Sequence, residues 1–399
     1  MHSMIRRSLV ASGVLALLAG CAGCAGGNGG TGGSGSGTTP TGEVKPSSAP
    51  ASAGGYGDIL VGGKPVTGSK AIANTKFPYR RTYTDGELYA PVTGYRTLMY
   101  GTAGLESVYD DALAKRSEDV VTTVDPDVQK AAFAALGDSR GAAIALDAKS
   151  GELLAVVSTP SYDATKFSNN TPRDLATWKE LNNDSRQPLF NRALREATAP
   201  GETFDVVIAA AALEHGLYTG VDERTAGGSG ACERASIRTA LKNSCDAVFT
   251  KMAADLGESQ LRETAEKFGF NQSDPKIPVR TNAGTFEGDG STATPLQMAR
   301  VTAALADGGR LAAPHLVERS STGEARRILW AKTAESLRSA LQDKTEWTPT
   351  DAGEGSPSSW SLAYARKGNG DLVALAVRVT GQDAGAAALV AEKMAGAVS

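Results

Sequence analysis

The sequence contains few residues of the kinds that build metal sites or nucleic-acid-binding surfaces. Its 399 residues include only three histidines and four cysteines. With so little histidine, neither a histidine-rich metal site nor a serine–histidine–aspartate arrangement is expected. The formal net charge is −3 and no basic stretch stands out, which argues against a nucleic-acid binder. Hydrophobic residues make up 41% of the chain and charged residues 21%, which is typical of a protein with a sizeable core.

The apolar run near the N-terminus is typical of an export signal. Two adjacent arginines precede a largely apolar run over residues 9–18, which is too short to span a bilayer. The run ends in Leu-Ala-Gly-Cys, which resembles the bacterial lipobox. We therefore expect residues 1–21 to be a lipoprotein signal peptide, with Cys21 lipidated and the protein anchored to the outer face of the cytoplasmic membrane. Secretion without a lipid is the alternative, and the choice between Sec and twin-arginine export stays open.

Residues 22–55 lack the large apolar side chains needed for a core. They are rich in Gly, Ser, Thr and Pro, so they are expected to form a disordered tether. A flexible chain of this length has a root-mean-square reach of about 30 Å. The folded region is then expected to sit close to the membrane.

From residue 56 onward the sequence predicts a folded region. Residues 56–118 are turn-rich and short, and residues 119–399 carry the stronger patterns. Apolar runs on either side of a turn predict hairpins in "GAAIALDAKSGELLAVVSTPSYD" and "SWSLAYARKGNGDLVALAVRV". Helices are predicted from near Pro126 with Asp125 as N-cap, over 202–215, 236–256, 259–268 and 294–307, and from about Asp383. Strands at both ends with helices between them predict an α+β domain built on one sheet.

The predicted helix 202–215 is apolar almost all round, yet its first turn carries Glu202 and Asp205. Such a helix is normally buried. Acids in a first turn are favoured by the helix dipole by about 0.3–1 kcal/mol each, and this is the simplest reason for their presence. They therefore do not by themselves indicate a function.

Several blocks of the sequence, taken in order, resemble the class B penicillin-binding proteins. The blocks are "GAAIALDAKSGELLAVVSTPSYD", "NRALREATAPGETFDVV", "ALKNSCDAVFTKMAADLG", and "GDGSTATPLQMARVTAALADGG" followed by "PHLV". "RRTYTDGELYAPVTGYRTLMYG" is similar to the segment before the transpeptidase domain in the actinobacterial penicillin-binding protein A group. The resemblance covers roughly residues 77–399. It implies the penicillin-binding/serine β-lactamase-like transpeptidase fold, with 56–118 as a truncated pedestal. We expect a lipobox and tether to stand in place of the family's membrane-spanning helix.

The resemblance implies acyl transfer by a serine at the start of a buried helix, with a lysine three residues later as its base. The matching positions of this sequence hold Glu202 and Asp205. The family's S-x-N triplet matches Ser244-Cys245-Asp246, which keeps the serine and exchanges the amide for an acid. Glu202, Asp205 and Asp246 could also together hold a cation such as Ca²⁺ or an amine. We expect no metal and no cofactor, because acids acquired by drift would give the same pattern.

The family's remaining motifs are also altered. The G-x-G block is Gly288-Asp289-Gly290, and the K-[ST]-G strand has two candidate registers. The preferred register gives Lys344-Thr345-Glu346, in which the final glycine is lost, and the other gives Asp351-Ala352-Gly353. Glycine is needed where a substrate backbone approaches a strand closely, so both registers are damaged.

Two other matches to these motifs are interpreted as coincidental, and Thr203 is not expected to replace the nucleophile. Thr203 is one helical step from Glu202, a rotation of about 100° away from the predicted pocket. The segment from Ser273 to Lys276 fits S-x-x-K in a polar, Pro-containing stretch where no buried helix is predicted. The Lys149-Ser150-Gly151 triplet fits K-[ST]-G at the tip of the first hairpin, on the wrong side of the helix in chain order.

Two cysteines, Cys232 and Cys245, remain in the folded region after export to an oxidising space, where a disulfide can form. A bridge would brace the side of the cleft that carries Ser244. Two buried free thiols are the alternative, because sequence cannot supply the required geometry.

The sequence as a whole predicts a catalytically inactive, penicillin-binding-protein-like lipoprotein. We expect it to act as a scaffold or regulator, with peptidoglycan or cell-wall synthesis and division proteins as partners. The membrane is contacted through the lipid anchor, and no nucleic acid is bound. An active D,D-transpeptidase with an unconventional site is one alternative, and a non-covalent sensor of muropeptides or β-lactams is another.

Overall fold

The architecture comes from a computed structural model that describes most of the chain from residue 54 onward. It describes residues 54–73, 76–116, 118–272, 277, 279, 281–282, 284–288, 290–318, 323–342, 350–351, 357–381, 383 and 385–399. The predicted signal peptide, with Cys21, and all but the last two residues of the predicted tether lie outside these ranges.

Five strands form the main sheet, and ladders of two or three strands lie elsewhere in the described residues. The strands are β1 (Ile59–Val61), β2 (Lys64–Pro65), β3 (Thr67–Ala71), β4 (Tyr79–Tyr83), β5 (Tyr95–Thr97), β6 (Gly101–Ala103), β7 (Val120–Val121), β8 (Gly141–Asp147), β9 (Leu153–Thr159), β10 (Arg310–Leu311), β11 (Arg326–Arg327), β12 (Thr350–Asp351), β13 (Pro357–Arg366) and β14 (Leu372–Thr380). The main sheet has the order β12-β13-β14-β8-β9, with every neighbouring pair antiparallel.

Helices cover both faces of this sheet. They are α1 (Gly86–Thr93), α2 (Leu105–Val108), α3 (Asp110–Lys115), α4 (Pro126–Leu136), α5 (Pro172–Asn183), α6 (Arg192–Arg195), α7 (Asp205–Glu214), α8 (Ile237–Lys242), α9 (Asp246–Leu256), α10 (Glu258–Phe268), α11 (Pro295–Ala306), α12 (Ala331–Leu341) and α13 (Gly385–Ala395). On one face α4 and α13 pack on the sheet, and on the other face α11 packs on it.

The strand β8 shows why the sheet is buried on both faces. All of its side chains are apolar except that of Asp147 at its end, and successive side chains point to opposite faces. Ala143 and Ala145 pack in the cluster formed with α4 and α13. Ile144 and Leu146 pack in the larger cluster that also contains α7 and α11. A strand between two helical layers must be apolar throughout, and the sequence of β8 meets that requirement.

The predicted hairpins and most predicted helices are confirmed. β8 pairs with β9 and β13 with β14, as the apolar runs on either side of a turn indicated. Asp125 is the N-cap of α4 and accepts hydrogen bonds from the backbone N–H groups of Asp127 and Val128. The last helix starts at Gly385, close to the predicted Asp383.

The prediction of a single helix over 236–256 is wrong. α8 ends at Lys242 and α9 begins at Asp246, and Ser244 between them has a φ of 55°. A left-handed residue cannot continue an α-helix, so the chain changes direction there. The helices α5 and α12 were not predicted, and no described helix is long and apolar enough to cross a bilayer.

Candidate active site

The segment leading to α7 is fixed by pairing and by a tight turn. Thr198 exchanges two backbone hydrogen bonds with Ala293, at 3.1 and 2.8 Å. Gly201 then takes a φ of 54°, a conformation open to glycine at little cost. One 3₁₀ turn over Gly201–Phe204 follows, and α7 begins at Asp205. The sequence Pro-Gly before the apolar run therefore sets where the helix starts.

The helix α7 lies in the interior, as its sequence predicted. Every residue from Val206 to Ala212 is buried. The helix packs against α9, α10 and α12. Just before it, the ring of Phe204 meets Phe270 edge-on at 5.5 Å and stacks on Phe286 at 6.0 Å. This packing leaves the start of α7 little freedom to move.

Glu202 is buried beside Ser244 rather than turned to bulk water. Its side chain lies in the 3₁₀ turn, and the residue is 9% exposed. The hydroxyl of Ser244 donates a hydrogen bond to the Glu202 carboxylate at 2.8 Å. A hydrogen bond to a charged acceptor is worth about 1.5–3 kcal/mol, so this contact stabilises both side chains. The structure thus brings together two of the predicted site residues that are 42 positions apart in sequence.

Asp205 and Asp246 occupy equivalent places on two helices. Each is the first residue of its helix, α7 for Asp205 and α9 for Asp246, where the helix dipole favours an acid. Asp205 is partly buried and Asp246 is exposed, so their environments differ from that of Glu202. Among the described residues, no three acid, histidine or cysteine side chains are grouped so as to hold a metal ion.

A disulfide joins Cys232 to Cys245, with Cα atoms 5.7 Å apart. Cys245 directly follows Ser244 and is 2% exposed, and it is the N-cap residue of α9. Cys232 ends a short 3₁₀ turn, Gly230–Cys232. The bridge therefore ties the loop before α8 to the residue next to the Ser244–Glu202 contact.

Sequence reasoning missed a buried charged cluster behind the site. Arg378 on β14 is 1% exposed, donates to the Thr198 hydroxyl at 2.6 Å and pairs with the Glu196 carboxylate. Arg140 also pairs with Glu196, and the Arg192 guanidinium lies 3.8 Å from it. The cluster ties the segment before Glu202 to the sheet. A lone arginine, Arg378, lies inside the apolar run "LVALAVRV". Because a buried charge needs a partner, this pattern could have indicated a buried ion pair on that strand.

The two registers of the predicted K-[ST]-G strand are described to different extents. Lys344, Thr345 and Glu346 lie outside the described residues. Asp351, the first residue of the other register, lies on β12, where its backbone pairs with Pro357 on β13.

Thr203 lies next to Glu202 in the same 3₁₀ turn, and one of the two coincidental motif matches lies within the described residues. The Thr203 hydroxyl donates to the Pro200 carbonyl at 2.6 Å, and the residue is 1% exposed. Lys149 lies in the turn of the β8–β9 hairpin, where its amine is 3.4 Å from an oxygen of Asp371. The segment from Ser273 to Lys276 is not described, nor is Asp289 in the G-x-G block.

Comparison with known proteins identifies the family. The profile of the penicillin-binding protein transpeptidase domain matches residues 141–362, which is more than half of the chain. The chain belongs to the penicillin-binding protein transpeptidase family. The profile of the penicillin-binding protein A dimerisation domain matches residues 56–127 of this transpeptidase homologue.

Several curated relatives of this transpeptidase homologue are peptidoglycan D,D-transpeptidases. PbpA of Mycolicibacterium smegmatis is 32% identical over 354 residues, which cover 74% of this chain and 71% of that protein. PbpA of Mycobacterium tuberculosis is 30% identical over 318 residues, which cover 65% of this chain and 64% of that protein. The relatives therefore place this family in peptidoglycan synthesis.

Solved structures confirm the predicted α+β transpeptidase fold. Penicillin-binding protein A of Mycobacterium tuberculosis, as an imipenem acyl-enzyme complex, has a TM-score of 0.76 and 26% identity. The match covers 86% of this chain and 98% of that one. Penicillin-binding protein 2 of Pseudomonas aeruginosa has a TM-score of 0.69 at 22% identity over 88% of this chain and 95% of that one, which shows the fold alone. The class B resemblance of the sequence is thus confirmed.

Proposed function

We propose that this transpeptidase homologue no longer catalyses acyl transfer and serves peptidoglycan synthesis as a scaffold or regulator. The observation that carries the proposal is the identity of the residues at the start of α7. Glu202 occupies the turn where the family resemblance places the serine nucleophile, and Asp205 occupies the position of the lysine. The Ser244 hydroxyl is hydrogen-bonded to that same carboxylate.

This chemistry does not suit acyl transfer. A carboxylate that attacks an acyl carbonyl forms a mixed anhydride, which is a poor intermediate for peptide exchange. The lysine that would act as the base is also missing, because Asp205 stands at its position. Losing a nucleophile or its base lowers the rate by about 10⁶ in a well-studied serine protease.

The charges also oppose binding of the ligands that the resemblance implies. Stem peptides and penicillins carry a carboxylate, whereas Glu202 and Asp205 place acids at the start of α7. Two like charges about 5 Å apart at an effective dielectric near 20 repel by about 3 kcal/mol. An anionic ligand would therefore be disfavoured about a hundredfold by one such contact.

Covalent labelling with a fluorescent penicillin tests the proposal. We expect no labelled band for the wild-type chain or for Glu202→Gln, which removes the charge without supplying a nucleophile. The double variant Glu202→Ser, Asp205→Lys is run beside them, with an active penicillin-binding protein as positive control. A wild-type band that excess unlabelled penicillin abolishes would overturn the proposal.

We further propose that the protein works outside the cytoplasm on a lipid anchor at Cys21, beside the proteins that synthesise the cell wall. The proposal rests on the lipobox-like ending of the apolar N-terminal run and on the peptidoglycan role of the family. Cys21→Ala is expected to move the protein from the membrane fraction to the soluble exported fraction and to abolish metabolic labelling with palmitate. Retention in the membrane fraction with unchanged labelling would contradict the anchor. Cys24, three residues after Cys21, provides the matched control as Cys24→Ala.

A further inference from the structure

We propose that Arg300 and Arg326 bind the phosphate group of a phosphate monoester. Arg300 lies on α11 and Arg326 on β11, and both guanidinium groups lie at the C-terminal end of α10. Their hydrogen bonds go to Gln297 and Lys267, not to the residues at the start of α7. The site is therefore separate from the candidate active site, and it does not depend on whether the chain has lost acyl transfer.

Arg300 is a buried positive charge without a negative partner. The residue is 7% exposed, and it forms no ion pair with a carboxylate of the described residues. Its Nη1 donates to the side-chain oxygen of Gln297 at 3.0 Å, whereas its buried Nε has no acceptor in the described part of the chain. Buried charges are normally paired, because their removal from water is otherwise uncompensated. A bound anion would supply the missing charge.

Helix capping does not explain why Arg300 is buried. A cation near a helix C-terminus is favoured by the dipole and can cap the last carbonyl groups. At the end of α10, however, the Phe268 carbonyl accepts from the side-chain amide of Gln297 at 3.0 Å. The Lys267 carbonyl accepts from the Arg326 guanidinium at 3.1 Å. Both carbonyls thus have donors other than Arg300, which leaves Arg300 donors for a ligand.

Arg326 places a second positive charge beside Arg300. Its guanidinium is bonded to the Lys267 carbonyl, and the Arg300 guanidinium lies so close to Gly269 that a Cβ there would overlap it. Lys267 and Gly269 are two residues apart, so the two guanidinium groups meet at one end of the helix. Burial lowers the pKa of Arg300 to about 10, and the nearby Arg326 charge adds to the effect, so Arg300 is still charged at pH 7.

Two neighbouring cations favour a doubly charged anion. The partial negative charge at the end of α10, about half an elementary charge, offsets only a part of the two positive charges. A guanidinium matches the geometry of phosphate oxygens, and a phosphate monoester carries a charge of about −1.5 to −2 at pH 7. Because Arg326 is exposed and Arg300 is mostly buried, the phosphate would lie between them with its organic group toward solvent.

Calorimetric titration with phenyl phosphate at pH 8 tests the site, with phenyl sulfate as the singly charged ester of similar shape. We expect saturable binding of phenyl phosphate and at least tenfold weaker binding of phenyl sulfate. Co-sedimentation with phosphatidylcholine vesicles that contain phosphatidate, against vesicles that lack it, tests a monoester carried by a lipid. Binding of either monoester supports the proposal and identifies its source, whereas binding of neither would overturn it.

Three variants check the location of the site. Arg326→Gln removes the exposed charge and should weaken binding at least tenfold, and Arg300→Met removes the buried charge and should abolish binding. Arg327→Gln is the matched control, because the Arg327 guanidinium donates to the Gly308 and Leu329 carbonyls; it should change the affinity by less than about threefold.

Thermal melting shows whether each variant is folded, and Arg326→Gln, at an exposed position, tests the site even if Arg300→Met does not fold. Affinities that Arg326→Gln leaves unchanged would overturn the proposal. The same conclusion would follow from an equal loss of affinity in Arg327→Gln, or from equal affinities for phenyl phosphate and phenyl sulfate.

Discussion

At the scale of single residues, Ser244 combines two opposing effects. Its φ of 55° is a left-handed conformation that costs a non-glycine residue about 1–2 kcal/mol. Its hydroxyl gains a hydrogen bond to the Glu202 carboxylate. The contact thus holds a backbone conformation that serine would not otherwise favour.

Glycine and alanine at position 244 separate the two effects. Both Ser244→Gly and Ser244→Ala lose the hydrogen bond, but only alanine keeps the left-handed cost, so we expect Ser244→Ala to be less stable by about 1 kcal/mol. Urea denaturation at pH 7 measures the difference. The neighbouring Asn243 has a φ of −102°, where the order should reverse, since alanine loses less entropy on folding than glycine. The same order at both positions would contradict the argument.

The sequence could predict that Glu202 lies at the start of a buried helix, but not that Ser244 is its hydrogen-bonding partner. An apolar run after Pro-Gly is a local pattern, and it placed Glu202 and Asp205 at the start of a buried helix, where the structure has them. The hydrogen bond from Ser244 depends on how α8 and α9 pack on α7, and on a turn at a residue type that seldom takes a positive φ. Nothing in the local sequence of Ser244 signals that turn.

Asp147 makes the stability depend on pH. Burial alone would raise the pKa of Asp147, but hydrogen bonds from the Ser150 N–H and the Lys367 ammonium outweigh it, and the pKa lies below its ordinary value of 3.8. A lowered pKa in the folded state gives stability that is present above the unfolded value and lost as the pH falls through the folded one.

Asp147→Asn should therefore make the free energy of unfolding fall less steeply as the pH is lowered. The difference in free energy of unfolding between wild type and Asp147→Asn is expected to shrink as the pH falls from about 5 to about 2, because the wild-type carboxylate becomes protonated. Urea titrations at a series of pH values measure it. A difference that stays constant over this range would show that the Asp147 charge is not involved.

At the scale of elements, the disulfide fixes the junction between α8 and α9. It links residues separated by 13 positions, and the junction also carries Ser244. A cross-link stabilises mainly by limiting the unfolded chain, by about 3 kcal/mol for a loop of this length.

Removing the bridge should lower the stability without dismantling the sheet. We expect Cys232→Ala, Cys245→Ala to reduce the free energy of unfolding by about 2–4 kcal/mol. Urea denaturation with and without reductant measures this. Wild type should become less stable on reduction while the double variant does not change. If wild type were equally stable in both conditions, the two thiols would contribute no cross-link.

Elements with a strong local pattern were predictable, and elements stabilised by tertiary contacts were not. The β8–β9 and β13–β14 hairpins are apolar runs on either side of a turn. The Asp125-Pro126 pair predicts the start of α4. By contrast, α5 is polar apart from a few side chains, and it depends on Trp178 packing against Tyr95 and Phe167. Residues far apart in the chain supply that packing, so no pattern within α5 reveals it.

At the scale of the whole molecule, residues 56–118, called the N-terminal segment, share one core with the main sheet. The main cluster runs from Ile59 and Leu105 in the N-terminal segment to Ala374 on β14. Within the segment, the Glu106 carboxylate is 0% exposed and pairs with Arg81 and Arg96, which are 3% and 2% exposed. The ring of Tyr56 lies 4.8 Å from the Arg96 guanidinium. A single core predicts that the segment and the sheet unfold together.

Neutralising Glu106 tests this cooperativity. Glu106→Gln leaves two buried guanidinium groups without their shared carboxylate, and breaking such a buried pair costs about 3–5 kcal/mol. Because the core is continuous, we expect amide hydrogen exchange to accelerate by similar factors in β4 and in β14. Glu87→Gln is the matched control, because the exposed Glu87 carboxylate lies 3.3 Å from the Lys166 amine. It should change the opening free energy that exchange reports in β4 and in β14 by less than about 1 kcal/mol. Acceleration confined to β4 would show instead that the N-terminal segment opens on its own while the transpeptidase sheet stays folded.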